Sequence, residues 1–204
     1  RRKGIQVFII APLKGHEFYR AARNVGGEFI QISPASKNCI NIMEIRKVDN
    51  SVNELLDGPT LDASALAGKI QRLHIFFSLL IPDMSHEEKQ LLDEALIKTY
   101  ARKGITHKNE SLTDPQHPEQ YKKMPILEDV YNVLLESEDT KRLAHILNRL
   151  VHGSASSFNQ QTNVDLTNKY TVLDISELTG SSDLLTVGMF VALDYVWAKA
   201  KENR

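Results

Sequence analysis

The sequence predicts an α/β fold that is mainly helical, with two strand-bearing ends around an all-α middle. Three observations carry this. Ile5–Ile10 (IQVFII) is an almost unbroken run of β-branched and aromatic residues, soon followed by a second such run. From about residue 62 the apolar residues recur at helical spacing. At Tyr170–Ile175 (YTVLDI) strand character returns, ahead of one long apolar helix.

Each element has its own reason. Ile5–Ile10 reads as a strand buried on both faces, as in a parallel sheet, and Ala11-Pro12 ends it. His16–Val25 follows as a short helix that Gly26-Gly27 stops, because glycine accepts the left-handed conformation there. Glu28–Ile32 is a second strand, closed by Ser33-Pro34. Strand, helix and strand make a βαβ unit with a right-handed crossover and parallel pairing. Asp62 caps a helix to about Ile81, which Pro82 stops. Ser85-His86-Glu87-Glu88 fits a capping box, opening a helix with Leu91, Leu92, Ala95, Leu96, Thr99 and Tyr100 at helical spacing; Gly104 ends it. Lys103–Lys123 is polar, holds Pro115 and Pro118, and reads as a long exposed loop.

Pro125 opens a helix to about Glu136 whose apolar set is Ile126, Val130, Val133 and Leu134. Asp139 opens another, with Leu143, Ile146, Leu147 and Leu150 inward and Gly153 as its stop. Ser154–Asn163 reads as a polar loop. Ser181-Ser182-Asp183 caps the last helix, to about Lys201. That helix is apolar nearly all round and is expected between layers. Residues 1–50 and 165–204 are each too small to fold alone. They are expected to join in one sheet layer, with residues 51–164 inserted as an all-α subdomain.

Composition bounds the function. The chain has 204 residues, 42% apolar and 25% charged, which excludes a disordered chain, a collagen and a rod. Net charge is −1, so no global field draws it to nucleic acid or anionic lipid. The charge is uneven: +5 over residues 1–50, −4 over 51–164 and −2 over 165–204. One cysteine, Cys39, excludes an internal disulfide and a Cys-based zinc site. No apolar run approaches the roughly 18 residues of a membrane span. The chain begins without Met close to a strand and stops straight after a helix, so it is expected to be a piece of a longer protein.

No phosphate-binding loop is present. Gly68-Lys69 is followed by Ile70 and sits inside a helix, and Gly26-Gly27 ends a helix whereas a phosphate cradle opens one. The turn Ala11–Phe18 is the best site candidate, because it leaves the C-terminal end of a buried strand, where open α/β sheets place ligands. It carries Lys14, His16 and Glu17: Lys can meet phosphate and Glu can orient a water. The competing reading is an ordinary turn with Glu17 favouring a helix N-terminus. Asn41 suits a turn or a ligand contact. Asp174, inside an apolar strand, needs a partner, either a structural hydrogen bond or Mg²⁺. Cys39 reads as a buried small hydrophobe, and Arg102-Lys103 and Lys122-Lys123 as a solvated face or a DNA contact.

The order of these segments resembles a known family. FIIAPLKGHEFYRAARNVGGEFIQISPAS, INIMEI, MPILEDVYNVL, LAHILNRLVHGSASSFNQQTNVDL, YTVLDISEL and LLTVGMFVALDYVW are similar to the stretch after the P-loop helix in conjugative-transfer ATPases of type IV secretion systems, the TraC/TraE-like motor family. Only the polar loop falls outside the match. Ala11 stands where the family often has Asp, two extra residues sit in the turn, and Ile42 replaces a Pro after Asn41; these departures suit a subgroup such as one carried by conjugative transposons. The resemblance implies a partial RecA-like P-loop NTPase sheet layer interrupted by an all-α insertion, lying between the P-loop and the Walker B strand. It places Pro12, Lys14, Gly15, Glu17 and Asn41 near the nucleotide, with Glu17 as catalytic candidate and no metal ligand in this segment.

It further implies ATP and Mg²⁺ in the full-length protein and no cofactor for the segment alone, which is expected to be inactive. Implied partners are other motor subunits in a homo-oligomer, a hexamer by analogy, with a coupling ATPase, transfer-channel proteins and DNA, at the inner face of the cell membrane on the cytoplasmic side. The alternative is a non-enzymatic helical interaction module of a DNA-transfer apparatus. A weaker one is a nucleic-acid binder using the basic first fifty residues.

Overall fold

The computed structural model describes residues 5–46 and 64–202. Its strands are β1 (Val7–Ala11), β2 (Glu28–Gln31) and β3 (Tyr170–Asp174). Its α-helices are α1 (Gly15–Asn24), α2 (Ala65–Leu80), α3 (His86–Arg102), α4 (Leu127–Leu134), α5 (Lys141–Val151) and α6 (Ser182–Glu202).

The three strands form one parallel sheet in the order β1-β3-β2. The ends of the chain therefore do join in one layer, as the sequence predicts, but β1 and β2 are not paired with each other. β3 enters between them, with Val172 opposite both Ile9 and Phe29. β1 is accordingly an edge of the described sheet and is not buried on both faces: Val7 is 40% exposed, and Phe8, Ile9 and Ile10 are half-buried. The side-chain alternation of the strands separates two layers. Ala11, Val172, Ile9 and Phe29 meet Ala22 and Phe18 of α1 on one face. Leu173, Ile30, Phe8 and Ile10 join the main core, with α6, on the other.

The helix ends follow the sequence closely. α1 stops in a Schellman arrangement: Gly26 has φ +67°, Gly26 N–H donates to Arg23 O at 3.3 Å, and Gly27 N–H donates to Ala22 O at 2.7 Å. α3 stops the same way at Gly104 (φ +69°), where Ile105 N–H donates to Tyr100 O at 3.0 Å. At its start, Ser85 Oγ accepts from Glu88 N–H at 3.1 Å and Glu88 Oε2 accepts from Ser85 N–H at 2.9 Å, completing the capping box. Asp62 lies outside the described residues. Ser64 caps α2, its hydroxyl accepting from Ala67 N–H at 3.2 Å.

Three regions depart from expectation. Residues 103–123 are not a bare exposed loop: Ile105 and Leu112 are buried, a 3₁₀ turn covers Asn109–Leu112, and Thr113 bridges Tyr121. Residues 154–163 are not loose either, because Ala155, Ser157 and Phe158 are buried and the rest clamp another segment. That segment, Cys39–Ile45, is neither helix nor strand, yet Ile40, Ile42, Met43 and Ile45 lie in the core. Its main chain is satisfied from outside, as buried amides must be. Asn163 Oδ1 accepts from Cys39 N–H at 2.7 Å and Thr162 Oγ1 from Asn41 N–H at 3.0 Å. Tyr100 donates its hydroxyl to Met43 O at 2.5 Å and Lys69 its ammonium to Ile42 O at 3.2 Å. The third departure is α6, which packs between the sheet and α2 but leaves Leu193 (52%) and Trp197 (59%) exposed on one stripe.

Ser85→Ala is expected to lower stability by about 1 kcal/mol in urea unfolding; no change would show that the box contributes nothing. The Ser85 amide first, and then the Arg142 guanidinium, hold the Glu88 carboxyl below its usual value of 4.5. Its contribution is therefore present above the usual carboxylate range and lost as pH falls through the lower folded value. Acid titration of stability should fall less steeply in Glu88→Gln than in the parent sequence, and equal slopes would contradict the assignment.

Candidate functional site

The strand order determines where chemistry-bearing residues meet. All three strands are parallel, so their C-terminal ends share one edge of the sheet. Asp174, the last residue of β3, sits in register between Ala11 of β1 and Gln31 of β2. Main-chain bonds continue just beyond: Ile175 N–H donates to Ala11 O at 3.0 Å, and Ile32 N–H to Asp174 O at 2.8 Å. The Asp174 carboxylate is buried and accepts from Ser176 N–H at 3.1 Å. This is the structural partner that an aspartate in an apolar strand requires.

From β1 the chain turns through Pro12, Leu13 and Lys14 into α1. Lys14 has φ 61° and ψ 33°, the single non-glycine residue with positive φ among the described ones. A branched or bulky residue there would be strained. Its carbonyl accepts from Glu17 N–H at 3.0 Å. Gly15 comes next, and only glycine fits: a Cβ there would lie 2.6 Å from Asp174 Oδ2. No side chain caps α1. The N-terminus of α1 thus lies directly against the Asp174 carboxylate.

A cleft of about 250 Å³ opens at this edge, lined by Gly15, His16, Tyr19, Gln31, Asp174 and Glu177 among others. Tyr19 and Phe29 meet edge to face with centroids 5.2 Å apart. Of the residues singled out from sequence, Gly15 and Asp174 are brought together here, with His16 beside them. Pro12 and Lys14 form the turn without lining the cleft. Glu17 is on the exposed face of α1, 72% exposed, with Lys14 Nζ at 3.8 Å. Asn41 is elsewhere and takes the turn role: its Oδ1 accepts from Met43 N–H at 3.1 Å and its Nδ2 donates to Pro125 O at 2.9 Å.

Cys39 is buried and donates to Gln160 O at 3.4 Å; burial pushes its thiol from 9.0 up to about 11. Arg102 and Lys103 pair with Glu136 and Asp129, at 2.5 and 2.9 Å. Among the described residues no cluster of three or more His, Cys, Asp or Glu side chains suits a metal ion. Two carboxylates, Asp174 and Glu177, line the cleft.

Sequence reasoning missed a second constellation. Asp194 of α6 lies between Arg46 (Nη1 at 3.7 Å), Lys69 (Nζ at 3.6 Å) and Arg72 (Nε at 3.7 Å), and Arg46 Nη2 is 3.1 Å from Glu44. Lys69 is fully buried. The signal was available: a lysine and an aspartate each interrupt an otherwise apolar helical stripe, and a charge in that position needs a partner.

No family model and no curated protein matches the chain. Among solved structures it is similar to VirB4 of Thermoanaerobacter pseudethanolicus, with a TM-score of 0.77 and 25% identity, over 97% of this chain and 70% of that one.

Gly15→Ala is expected to destabilise by about 1–3 kcal/mol through overpacking. Asp174→Ala in the same chain should relieve part of that loss; strictly additive effects in the double-mutant cycle would contradict the close approach. Cys39 is expected to resist alkylation at pH 8 in the folded chain and to react once the chain is unfolded in urea.

Proposed function

We propose that this VirB4/TraC-like ATPase segment is the central part of a conjugation or type IV secretion motor, which powers DNA or protein transfer by ATP hydrolysis in the full-length protein. The observation that carries the reading is the fold match, which runs through the sheet and the helices alike. The strand-end cleft supports it. Open parallel sheets bind ligands beyond the carboxyl ends of their strands, and the β1–α1 turn, Gly15 and Asp174 lie there.

In this reading residues 1–50 and 165–204 belong to a RecA-like core and residues 51–164 are an all-α insertion. The P-loop and the metal carboxylates come from other parts of the parent protein, which uses ATP and Mg²⁺. This segment supplies the rigid floor beside the nucleotide. Pro12, Lys14 and Gly15 shape the turn. Glu17, on the exposed first turn of α1, is the candidate to orient a water, and Asn41 holds the Cys39–Ile45 segment in place. The parent assembles as a homo-oligomer, a hexamer by analogy, at the cytoplasmic face of the inner membrane, through a coupling ATPase and channel proteins. Among the described residues no helix is long and apolar enough to cross a membrane.

ATP turnover is the test. The 204-residue chain is expected to show none above a blank. A longer protein with a P-loop upstream should hydrolyse ATP, and Glu17→Gln should slow it about a hundredfold. Turnover by the segment alone would overturn the division of labour. A parent without a P-loop and without turnover would put a non-enzymatic helical interaction module in its place.

A further inference from the structure

Among the described residues, no lysine or arginine lines the strand-end cleft. Asp174 is 3% exposed, and its Oδ1 accepts from Ser176 N–H at 3.1 Å. Its Oδ2 accepts no hydrogen bond from any described residue. Glycine at position 15 keeps that oxygen clear, since a Cβ there would stand 2.6 Å from it. Glu177, three residues on, is exposed and makes no hydrogen bond or ion pair among the described residues. Gln31 lines the cleft from the end of β2. Its main-chain O accepts from Ser36 Oγ at 2.8 Å and Asn38 Nδ2 at 3.0 Å, while its side-chain carboxamide has no partner among the described residues.

These groups set the sign of the site. Two carboxylates line the cleft, and the amide end of α1 beside them carries only about half an elementary charge. His16, exposed next to them, is the remaining histidine or acid in the lining. An anionic group is repelled there and a cation is drawn in. One wall is aromatic: Tyr19 is 44% exposed, and its ring is held edge to face against Phe29. The volume of about 250 Å³ lies below the roughly 300–1,000 Å³ of a drug-sized site. It suits the end of a side chain or a small ion rather than a whole nucleotide.

We propose that this cleft binds a guanidinium group. A guanidinium carries five N–H donors in a planar fork, enough to serve Asp174 Oδ2, Glu177 and Gln31 together. It also stacks on aromatic rings and is more weakly hydrated than an ammonium, so it enters a half-buried aromatic site at lower cost. Its bonds to carboxylates are charge-assisted, which makes them the strong ones. A hard divalent cation fits less well. It takes about six oxygen ligands or more, and among the described residues no cluster of three or more His, Cys, Asp or Glu side chains suits a metal ion. The proposal goes beyond the motor reading and does not rest on it. It concerns this chain's own cleft and is tested without nucleotide, so either can fail alone.

The test is a nuclear magnetic resonance titration of the isotope-labelled 204-residue chain. The probes are methylguanidinium, a capped tripeptide with one central arginine, and the same tripeptide with lysine. Both guanidinium probes are expected to give saturable shifts at the amides of residues 15–19 and 174–177, and to bind more weakly as salt rises. The lysine tripeptide should bind about tenfold more weakly or less still. Asp174→Asn keeps the acceptor for Ser176 N–H and should weaken the arginine tripeptide about tenfold. Glu177→Gln, at an exposed position, should weaken it in the same direction even where Asp174→Asn folds poorly. Glu94→Gln, exposed on α3, should leave it unchanged. Tighter binding of the arginine tripeptide than of methylguanidinium would identify an arginine side chain of a protein partner as the source. Equal binding would identify a free guanidino compound. Absence of shifts, shifts confined to residues outside the two stretches, a lysine tripeptide that binds as tightly, or binding indifferent to Glu177→Gln, would each overturn the proposal.

Discussion

β3 is the constraint on which the rest depends. Among the described strands it is the shared hydrogen-bonding partner of β1 and β2, and neither of those pairs with the other. The sheet therefore closes only when residues 170–174 return to strands that ended at Ala11 and Gln31. That return spans more than a hundred residues of chain, a large loop-closure cost that is met before any ladder bond is gained. The same register carries Asp174 to the end of the sheet and against Gly15. Fold and candidate site thus share one cause.

The return is held by polar groups as well as by apolar packing. Asp194 of α6 draws together Arg46 from the segment after β2 with Lys69 and Arg72 of α2. An ionic group of this kind adds little net stability over an apolar replacement. It therefore fixes how α2, α6 and the Cys39–Ile45 segment sit together more than how strongly. Asn41, Thr162 and Asn163 do the same for that segment at its other end. In the motor reading, these are the joints between the strand layer and the helical insertion.

Local chemistry made much of this legible in the sequence. The capping box at Ser85, the glycine stops at Gly26 and Gly104 and the return of a strand at Tyr170 all follow from short-range rules. The β1–α1 turn stood out because a strand end carrying Lys14, His16 and Glu17 is unusual. What failed was non-local. Nothing in the order of β1 and β2 says that a distant strand will separate them. Nothing in the polar string Ser154–Asn163 says that its side chains satisfy a buried backbone over a hundred residues away. Gly15 enters the sequence reading only through the family resemblance, and its steric reason, the Asp174 carboxylate, is a tertiary contact. Lys69 and Asp194 were visible as charges on apolar helices, yet their common partner set appears only when α2 and α6 meet.

The most direct test of the central claim is hydrogen exchange on the full-length protein, with and without a non-hydrolysable ATP analogue and Mg²⁺. The account predicts added protection at residues 12–18 and 174–177, the two stretches that β3 brings together at the strand ends. Protection confined to the rest of the protein, with both stretches unchanged, would contradict a nucleotide-facing role for this edge of the sheet.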